Sequence, residues 1–272
     1  MILSLLTGDT IISTDERPQF YLQVYSFKFA EETNILEFHL QIPYSQMQFI
    51  RFKENKQVYY QAIYQLQIQI QEEKSINRFE YNYQDTIRIE SFMETVAREL
   101  TRTIQYNLHV SFGIYKFKVI LCDLETNSYS YADGIIFVSD YSKDESILSD
   151  LKFSVFAVGE PFEVWPNAVM VFSAENFTNL YLYFEVYNLF MNYTEFEVSY
   201  RFFRFGKEYQ NLIKNYQKTA RDMIVILPIR ITEIPNGHYL VRVILKDSGR
   251  ESIRQKEFVI TGSDVPYFER DD

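Results

Sequence analysis

The sequence predicts an all-β protein made of two tandem antiparallel sandwiches, and three observations support this. Aromatic residues form 17% of the 272 residues, and 46 of them, 24 Phe and 22 Tyr, are types that favour strands. Apolar and polar side chains alternate with a period of two over several long stretches. A motif in the first half of the chain recurs in the second half, as two similar units in tandem would produce.

The clearest alternation covers residues 58–71. Apolar side chains at even-numbered positions alternate there with glutamines at most odd-numbered ones: Gln61, Gln65, Gln67, Gln69 and Gln71. Residues 36–42 and 196–202 show the same period. Each predicted strand therefore has one apolar and one polar face, which is typical of antiparallel sheets with one face in water.

The repeated motif places the boundary between the two units. Residues 113–123 and 237–247 both begin with Gly, have Tyr two positions later and end in Val-Ile-Leu-x-Asp. A further predicted strand follows in each unit, and the polar residues 139–146 separate the units. We therefore expect a first domain at residues 15–140, a solvated linker at 141–150 and a second domain at 151–263.

The tyrosine of the motif indicates the kind of sandwich. Tyr239 follows Pro235 and Gly237 and begins an alternating strand, as the tyrosine corner of immunoglobulin-like sandwiches does. Tyr115 follows Gly113 in the same way, without the proline. The prediction is two immunoglobulin or fibronectin type III-like domains, with each tyrosine hydroxyl bonded to a backbone group upstream.

Two segments leave the secondary structure open. Residues from Ser91 to Ile104 combine a capping-box spacing, Ser91 with Glu94, with apolar residues at helical intervals, so both a helix and a strand or loop are possible. Residues 208–221 are also compatible with a helix.

A more specific resemblance lies in residues 162–172, Phe-Glu-Val-Trp-Pro-Asn-Ala-Val-Met-Val-Phe, and residues 182–189, Leu-Tyr-Phe-Glu-Val-Tyr-Asn-Leu. With Phe-Tyr-Leu-Gln-Val-Tyr at 20–25 and Leu-Gln-Ile-Pro-Tyr at 40–44, they resemble the region preceding the GWxTD domain of bacterial GWxTD domain-containing proteins. The resemblance covers roughly residues 18–262. The Gly-Trp-x-Thr-Asp motif itself is absent, and the only tryptophan is Trp165. The resemblance implies a tandem β-sandwich region of an often exported bacterial protein and supplies no catalytic residues.

Charge and composition exclude several classes of function. A net charge of −10 argues against a grip on nucleic-acid phosphates or anionic membranes, which needs clustered Lys and Arg. No apolar run approaches the 18 or so residues of a membrane-spanning helix. Residues 2–8 either end a signal peptide or form a first strand.

Reactive side chains are few and scattered. His39, His109 and His238 lie in no metal-binding or catalytic motif and are expected on the solvated surface. Cys122 is expected to be buried as a small apolar residue. The acidic run Asp140, Asp144, Glu145 and Asp150 fits a solvated linker better than a calcium loop. The sequence therefore predicts no catalytic residue, no cofactor and no metal site.

The candidate contact surface is a row of tyrosines. In residues 180–187 the even-numbered apolar side chains should face the core, which leaves Tyr181, Tyr183 and Tyr187 on the opposite face. Rigid aromatic rings with polar tips suit contact with another chain or a neighbouring domain. The alternative is that the rings pair across strands or are covered by the protein itself.

These observations predict a non-catalytic binding or structural module that makes protein–protein contacts. The resemblance implies a place in the bacterial cell envelope or outside the cell. The alternatives are a carbohydrate-binding accessory module of a secreted enzyme, with tyrosines as sugar platforms, and a β-sandwich hydrolase. Coplanar exposed rings would favour sugar, whereas a ragged aromatic patch with a polar rim would favour protein.

Overall fold

The computed structural model describes residues 11–14, 16–30, 33–76, 78–97, 100–158, 163–164 and 168–263. Within these ranges the protein is all-β and forms two tandem sandwiches, so the predicted fold class is confirmed. The proposed signal-peptide remnant at residues 2–8 and Trp165 of the family resemblance lie outside the described residues.

The first sandwich contains the strands β1 (Ile11–Ile12), β2 (Tyr21–Ala30), β3 (Thr33–Pro43), β4 (Ile50–Glu54), β5 (Gln57–Glu72), β6 (Arg78–Ile89), β7 (Thr101–Val110), β8 (Gly113–Asp123) and β9 (Ser128–Val138). A 3-10 turn, Tyr44–Gln46, and a one-turn helix α1, Phe92–Thr95, interrupt them.

One sheet of this sandwich has the order β1-β2-β3-β7, and the other has β4-β5-β8-β9 with β6 paired to β5. All these pairs are antiparallel. The alternating side chains of β3 and β5 that point inward, such as Phe38 and Leu66, are fully buried in one apolar core. That core extends in sequence from Phe20 to Val138.

The second sandwich contains β10 (Ile147–Leu148), β11 (Lys152–Ser154), β12 (Ala157–Val158), β13 (Glu163–Val164), β14 (Val171–Ser173), β15 (Asn179–Tyr187), β16 (Glu195–Arg204), β17 (Lys207–Gln217), β18 (Met223–Arg230), β19 (Gly237–Asp247) and β20 (Arg250–Thr261). A 3-10 turn, Ile231–Glu233, precedes β19.

Its smaller sheet places β10, β11 and β18 against β15, and its larger sheet has the order β14-β20-β19-β16-β17. The pair β14–β20 is parallel, whereas the other pairs of these two sheets are antiparallel. A second, separate apolar core extends from Leu148 to Ile260.

The strands predicted at residues 36–42, 58–70 and 196–202 are confirmed as β3, β5 and β16. The open segment 91–104 contains both structures: the capping box of Ser91 and Glu94 begins the short helix α1, and β7 begins at Thr101. Of the helix-compatible residues 208–221, residues 208–217 belong to β17 instead, because pairing with β16 satisfies the hydrogen bonds of their backbone.

Both predicted tyrosine corners are confirmed. The hydroxyl of Tyr115 donates to the carbonyl of Ser111 at 3.1 Å, and that of Tyr239 donates to the carbonyl of Pro235 at 2.6 Å. Gly237 precedes its tyrosine at φ 153°. A Cβ there would lie 2.7 Å from Nε of Arg204, so a side chain could not be accommodated without displacing the arginine.

Candidate functional site

The tyrosine row of β15 lies between the two sandwiches. Leu180, Leu182, Phe184 and Val186 face the core as predicted. On the opposite face, Tyr183 is only 9% exposed and meets the ring of Phe27 from β2 at 6.1 Å. Tyr187 is buried as well, whereas Tyr181 remains half-buried. Tyr183 and Tyr187 therefore contact the neighbouring domain of the same chain, and their rings are not available to a further partner.

A single carboxylate orients these two tyrosines. Tyr183 donates its hydroxyl to Glu185 at 2.5 Å, and Tyr187 donates to the same carboxylate at 2.9 Å. Burial, and then the charge of Glu185, raise the pKa of both phenols. Both tyrosines are thus held as neutral donors whose rings are packed in fixed positions.

Beside them, the polar face of β3 is buried under the second sandwich. Lys152 of β11 forms an ion pair with Glu37, and its ammonium lies 4.1 Å from the centre of the Phe27 ring. His39 lies 3.1 Å from the same carboxylate through Nε2 and is almost fully buried. The prediction of a solvated His39 is therefore wrong, because the second domain covers the face that a lone sandwich would expose to water.

Burial and charge act in opposite directions on this group. Burial favours the protonated carboxyl of Glu37, but the hydrogen bond from His39 and the charge of Lys152 outweigh it and lower the pKa to about 2. Burial is the main effect on His39 and lowers the imidazole pKa. At neutral pH the group therefore contains a lysine cation, a carboxylate and a neutral histidine that donates to it.

A second contact lies at the adjacent strand β2. Lys256 of β20 donates to the Gln23 side chain at 2.6 Å, and its ammonium stands 4.4 Å from the centre of the Tyr25 ring. On β3, the side-chain carbonyl of Gln41 accepts hydrogen bonds from the backbone amides of Ala168 and Val169 at 3.1 and 3.0 Å. These polar bonds fix the register between the sandwiches, since apolar contacts alone are not directional.

The segment 141–150, predicted as an exposed linker, is mostly built into this interface. Within it only residues 142–145 are exposed. Tyr141 is buried and donates to the carbonyl of Ser26 at 3.1 Å, while Asp150 accepts from the amide of Ser26 at 2.7 Å. Its prediction as a solvated segment is wrong because its polar groups bond to the backbone of the first sandwich instead of water.

The acidic run of this segment does not converge. Asp144 pairs with Arg221, Glu145 with Arg250 and Asp150 with Arg254. Across the described part of the chain, no group of three or more His, Cys, Asp or Glu side chains is placed to hold a metal ion. His109 and His238 are exposed as predicted, whereas Cys122 is half-buried because it points away from the core.

Where the second sandwich meets the start of the first, a groove of about 800 Å³ lies over the outer face of β16, β19 and β20. Apolar and aromatic side chains dominate its lining, which comprises Ile12, Tyr21, Val169, Met170, Val171, Phe203, Phe205, Gly206, His238, Tyr239, Leu240, Arg242, Glu257, Phe258 and Val259. This volume and composition fall within the range of ligand pockets in proteins.

Three apolar side chains of the groove stand out into solvent. Phe205 is 69% exposed, Ile12 60% and Val171 49%, although they come from three distant parts of the sequence. Large apolar groups gathered at one exposed place usually mark an interaction site. His238, Arg242 and Glu257 supply the polar groups, and the guanidinium of Arg242 lies 5.2 Å from the centre of the Phe203 ring.

The backbone presents Phe205 in an unfavourable conformation. Phe205 and Gly206 form the two-residue turn between β16 and β17 with φ values of 51° and 76°. Both turn residues therefore need left-handed conformations, which suit Asn or Gly at the first position. The turn at Ser248 and Gly249 has the same signs with a small polar residue first. A bulky aromatic residue at φ > 0 costs about 1–2 kcal/mol and is typical of a functional position.

Sequence reasoning did not identify this groove. Of its exposed residues, Ile12 lies more than one hundred positions before Val171 and Phe205 in the sequence, and no short motif joins the three. The one local signal is the Phe205–Gly206 dipeptide at the end of an alternating strand, where a turn with a polar first residue would be expected.

Comparisons with known proteins give only low similarity. No family model and no curated protein matches the sequence. Among solved structures, the FN1–FN3 domains of chicken CNTN1 share 9% identity, with 93% of this chain and 99% of that chain covered and a TM-score of 0.24.

Two bacterial glycosidases are similar to a comparable extent. A calcium-binding mutant of β-glucuronidase 2 from Bacteroides uniformis shares 12% identity over 85% of this chain, and a β-galactosidase described as putative from Bacteroides fragilis shares 8% over 86%; both have TM-scores of 0.25. The chain spans 27% and 33% of the lengths of these enzymes.

In the described residues, no helix has the length and apolar character needed to cross a bilayer.

Proposed function

We propose that the protein is a non-catalytic binding module whose groove on the second sandwich receives an apolar segment of a partner protein. The observation that supports this most is the exposure of Phe205, Ile12 and Val171 around one groove, with Phe205 held there in a left-handed conformation. We place the module in the bacterial cell envelope or outside the cell, in accord with its resemblance to the region preceding the GWxTD domain.

The lining favours protein over sugar at this groove. Sugar platforms need flat exposed rings, whereas Ile12, Val171 and Leu240 are aliphatic and fit the irregular surface of apolar side chains. The polar groups His238, Arg242 and Glu257 accompany this apolar lining, as in the polar rim of a protein interface.

The contacts between the sandwiches support the same function. Ile12 and Tyr21 belong to the first sandwich, whereas the other lining residues belong to the second. The groove is therefore complete only when the two sandwiches keep one relative orientation. The ion pair of Lys152 with Glu37 and the bond between Lys256 and Gln23 hold that orientation.

A peptide library tests this function. Random peptides displayed on phage are selected on the purified protein, and affinities of the selected peptides are measured by calorimetry for wild type and variants. We expect peptides with apolar or aromatic anchors. Phe205→Ser and Val171→Ser should each weaken binding by about tenfold, since burying a large apolar side chain contributes about 1.5–3 kcal/mol.

The matched control is Ile253→Ser. Ile253 of β20 is an exposed apolar residue, as Phe205 and Val171 are, but it lies outside the groove lining. It should leave affinity unchanged. Selection of no peptide, or equal losses for Ile253→Ser and Phe205→Ser, would overturn the proposal.

A further inference from the structure

The outer face of β5 and β6 in the first sandwich is rich in amide side chains. Pairing places Gln84 beside Gln65, and Asn82 beside Gln67, while Gln69 and Gln71 continue the row along β5. We call these six residues the glutamine face. None of them is buried, and successive amides along a strand stand about 7 Å apart.

Hydrogen bonds hold the middle of this face in fixed orientations. Glu80 accepts from Gln67 at 2.5 Å and from Asn82 at 3.2 Å, and Gln67 in turn accepts from Gln69 at 2.8 Å. Each amide nitrogen carries two donor hydrogens, so each of these bonds leaves one for a ligand. The face therefore presents oriented donors and acceptors without the entropic cost of ordering long side chains.

An aromatic ring stands two strands away. Gln67 of β5 pairs with Ile120 of β8, which pairs in turn with Tyr131 of β9, so the three residues form one row across the sheet. The ammonium of Lys118 lies 4.0 Å from the centre of the Tyr131 ring and covers one side of that ring. Tyr129, which lies in the neighbouring row that starts at Gln65, is exposed. Oriented amides beside aromatic rings match a ligand that offers hydroxyl groups on its edges and C–H groups on its faces.

Charge narrows the ligand further. The row of Gln69 runs from Glu80 through Gln69 and Lys118 to Asp133. Lys116 and Arg78 lie on either side of Gln71, and Lys116 pairs with Glu73 at 3.9 Å. These three cations and three acids balance, although the whole chain carries −10. A locally neutral face in an acidic protein suits a neutral ligand better than a polyanion. In the row of Gln67 the large apolar side chains, Ile120 and Tyr131, are half-buried, so this row lacks the apolar centre of a protein interface.

We propose that the glutamine face binds a neutral polysaccharide, as a site separate from the groove of the second sandwich. The amides of Gln67, Gln69 and Asn82 hydrogen-bond to sugar hydroxyls, and the exposed ring of Tyr129 packs against the ring faces. Protein capture at the groove and polysaccharide binding at the first sandwich then make the protein an adaptor between a partner and a glycan surface.

Affinity electrophoresis tests this directly. The full chain migrates through native gels that contain laminarin, soluble starch, xyloglucan or galactomannan, and retardation gives the affinity. At least one polysaccharide should retard the wild type. Retardation should be nearly unchanged when NaCl rises from about 50 to 500 mM, because no charges are neutralised on binding.

Variants locate the site. Gln67→Ala combined with Gln69→Ala should weaken binding by about tenfold or more, since two hydrogen-bonding groups are lost. Tyr129→Ala should weaken it as well. Gln210→Ala combined with Gln217→Ala removes two exposed amides of β17 in the second sandwich and should have no effect. Circular dichroism verifies that each variant is folded.

Several results would overturn the proposal. These are the absence of retardation by every neutral polysaccharide, retardation that both glutamine pairs reduce equally, and retardation that only an anionic polysaccharide such as alginate produces. Selection of phage-displayed peptides that lose binding in the Gln67→Ala, Gln69→Ala variant would assign the face to protein instead.

Discussion

The hydroxyl of Tyr187 accepts a hydrogen bond from the backbone amide of Lys28 at 3.0 Å, across the contact between the two sandwiches. The ammonium of the same lysine pairs with Asp222 at 2.8 Å and with Asn188 at 3.2 Å. One residue of the first sandwich is thus bonded to three of the second. The tyrosine row and the polar face of β3 therefore act as internal surfaces that join the domains.

Loss of Tyr183 should uncouple the two sandwiches. Tyr183→Ser removes the ring that packs on Phe27 and leaves a cavity, at a cost of about 3 kcal/mol. In scanning calorimetry we expect one thermal transition for the wild type and two for the variant. Tyr129→Ser, at an exposed tyrosine of the first sandwich, should preserve a single transition. One unchanged transition in both variants would show that Tyr183 does not couple the domains.

Acidification should weaken the same interface through His39. Its pKa in the folded protein lies below the ordinary value of 6.5, so the unfolded chain binds the proton more readily. The stability that His39 contributes is complete above pH 6.5 and is lost as pH falls toward the folded-state pKa. Melting temperatures between pH 8 and pH 5.5 should therefore fall with pH in the wild type.

His39→Gln is the matched control for this pH dependence. Glutamine stays neutral and retains a donor for Glu37, so the decline between pH 6.5 and 5.5 should be reduced. Glu37 stays charged throughout this window, because its pKa is about 2. An equally steep decline in the variant would assign the effect to other groups.

The tyrosine corner should stabilise the second sandwich measurably. Tyr239→Phe removes the hydroxyl that donates to the carbonyl of Pro235, and a hydrogen bond of this kind contributes about 1 kcal/mol. The free energy of unfolding in urea should fall by that amount. Tyr209→Phe, at a more exposed tyrosine, should cost less. Equal losses in the two variants would contradict a specific role of the corner.

A buried ion pair at the end of β19 should be costly to break. Lys218 and Asp247 lie 2.6 Å apart with fully buried side chains, and Asp247 also accepts from Ser146 and the amide of Phe190. Burial opposes the charged carboxyl, but these bonds, led by that of Lys218, lower its pKa. Lys218→Met should destabilise the fold by about 3–5 kcal/mol, because it leaves a buried carboxylate without its cation. Lys214→Met, at an exposed position of the same strand region, should change stability by less than about 0.5 kcal/mol in urea unfolding.

The sequence predicts those parts of the fold that depend on local pattern. Period-two alternation identifies β3, β5 and β16, and the repeated Gly-x-Tyr motif identifies both tyrosine corners, since each depends on residues four apart. The burial of His39 has no local signal. Its strand alternates as one with a face in water, but Tyr25 of β2, the distant Lys152 and the second sandwich cover it.

The groove could not be predicted for a related reason. Ile12 and Val171 are each unremarkable in sequence, and Ile12 reaches the groove only because the sandwiches pack in one orientation. The glutamine alternation of β5 is visible in the sequence, but its chemistry depends on the register that places Asn82 beside Gln67 and Tyr129 in the row of Gln65.

Chemical-shift mapping by NMR tests the central claim that the groove is the partner-binding site. A peptide selected on phage is titrated into isotopically labelled protein. We predict the largest amide shifts at Phe205, Val171 and Leu240, with Tyr21 of the first sandwich also affected, and little change at Ile253. Largest shifts on the glutamine face or along the exposed strand β17, with the groove residues unchanged, would contradict it.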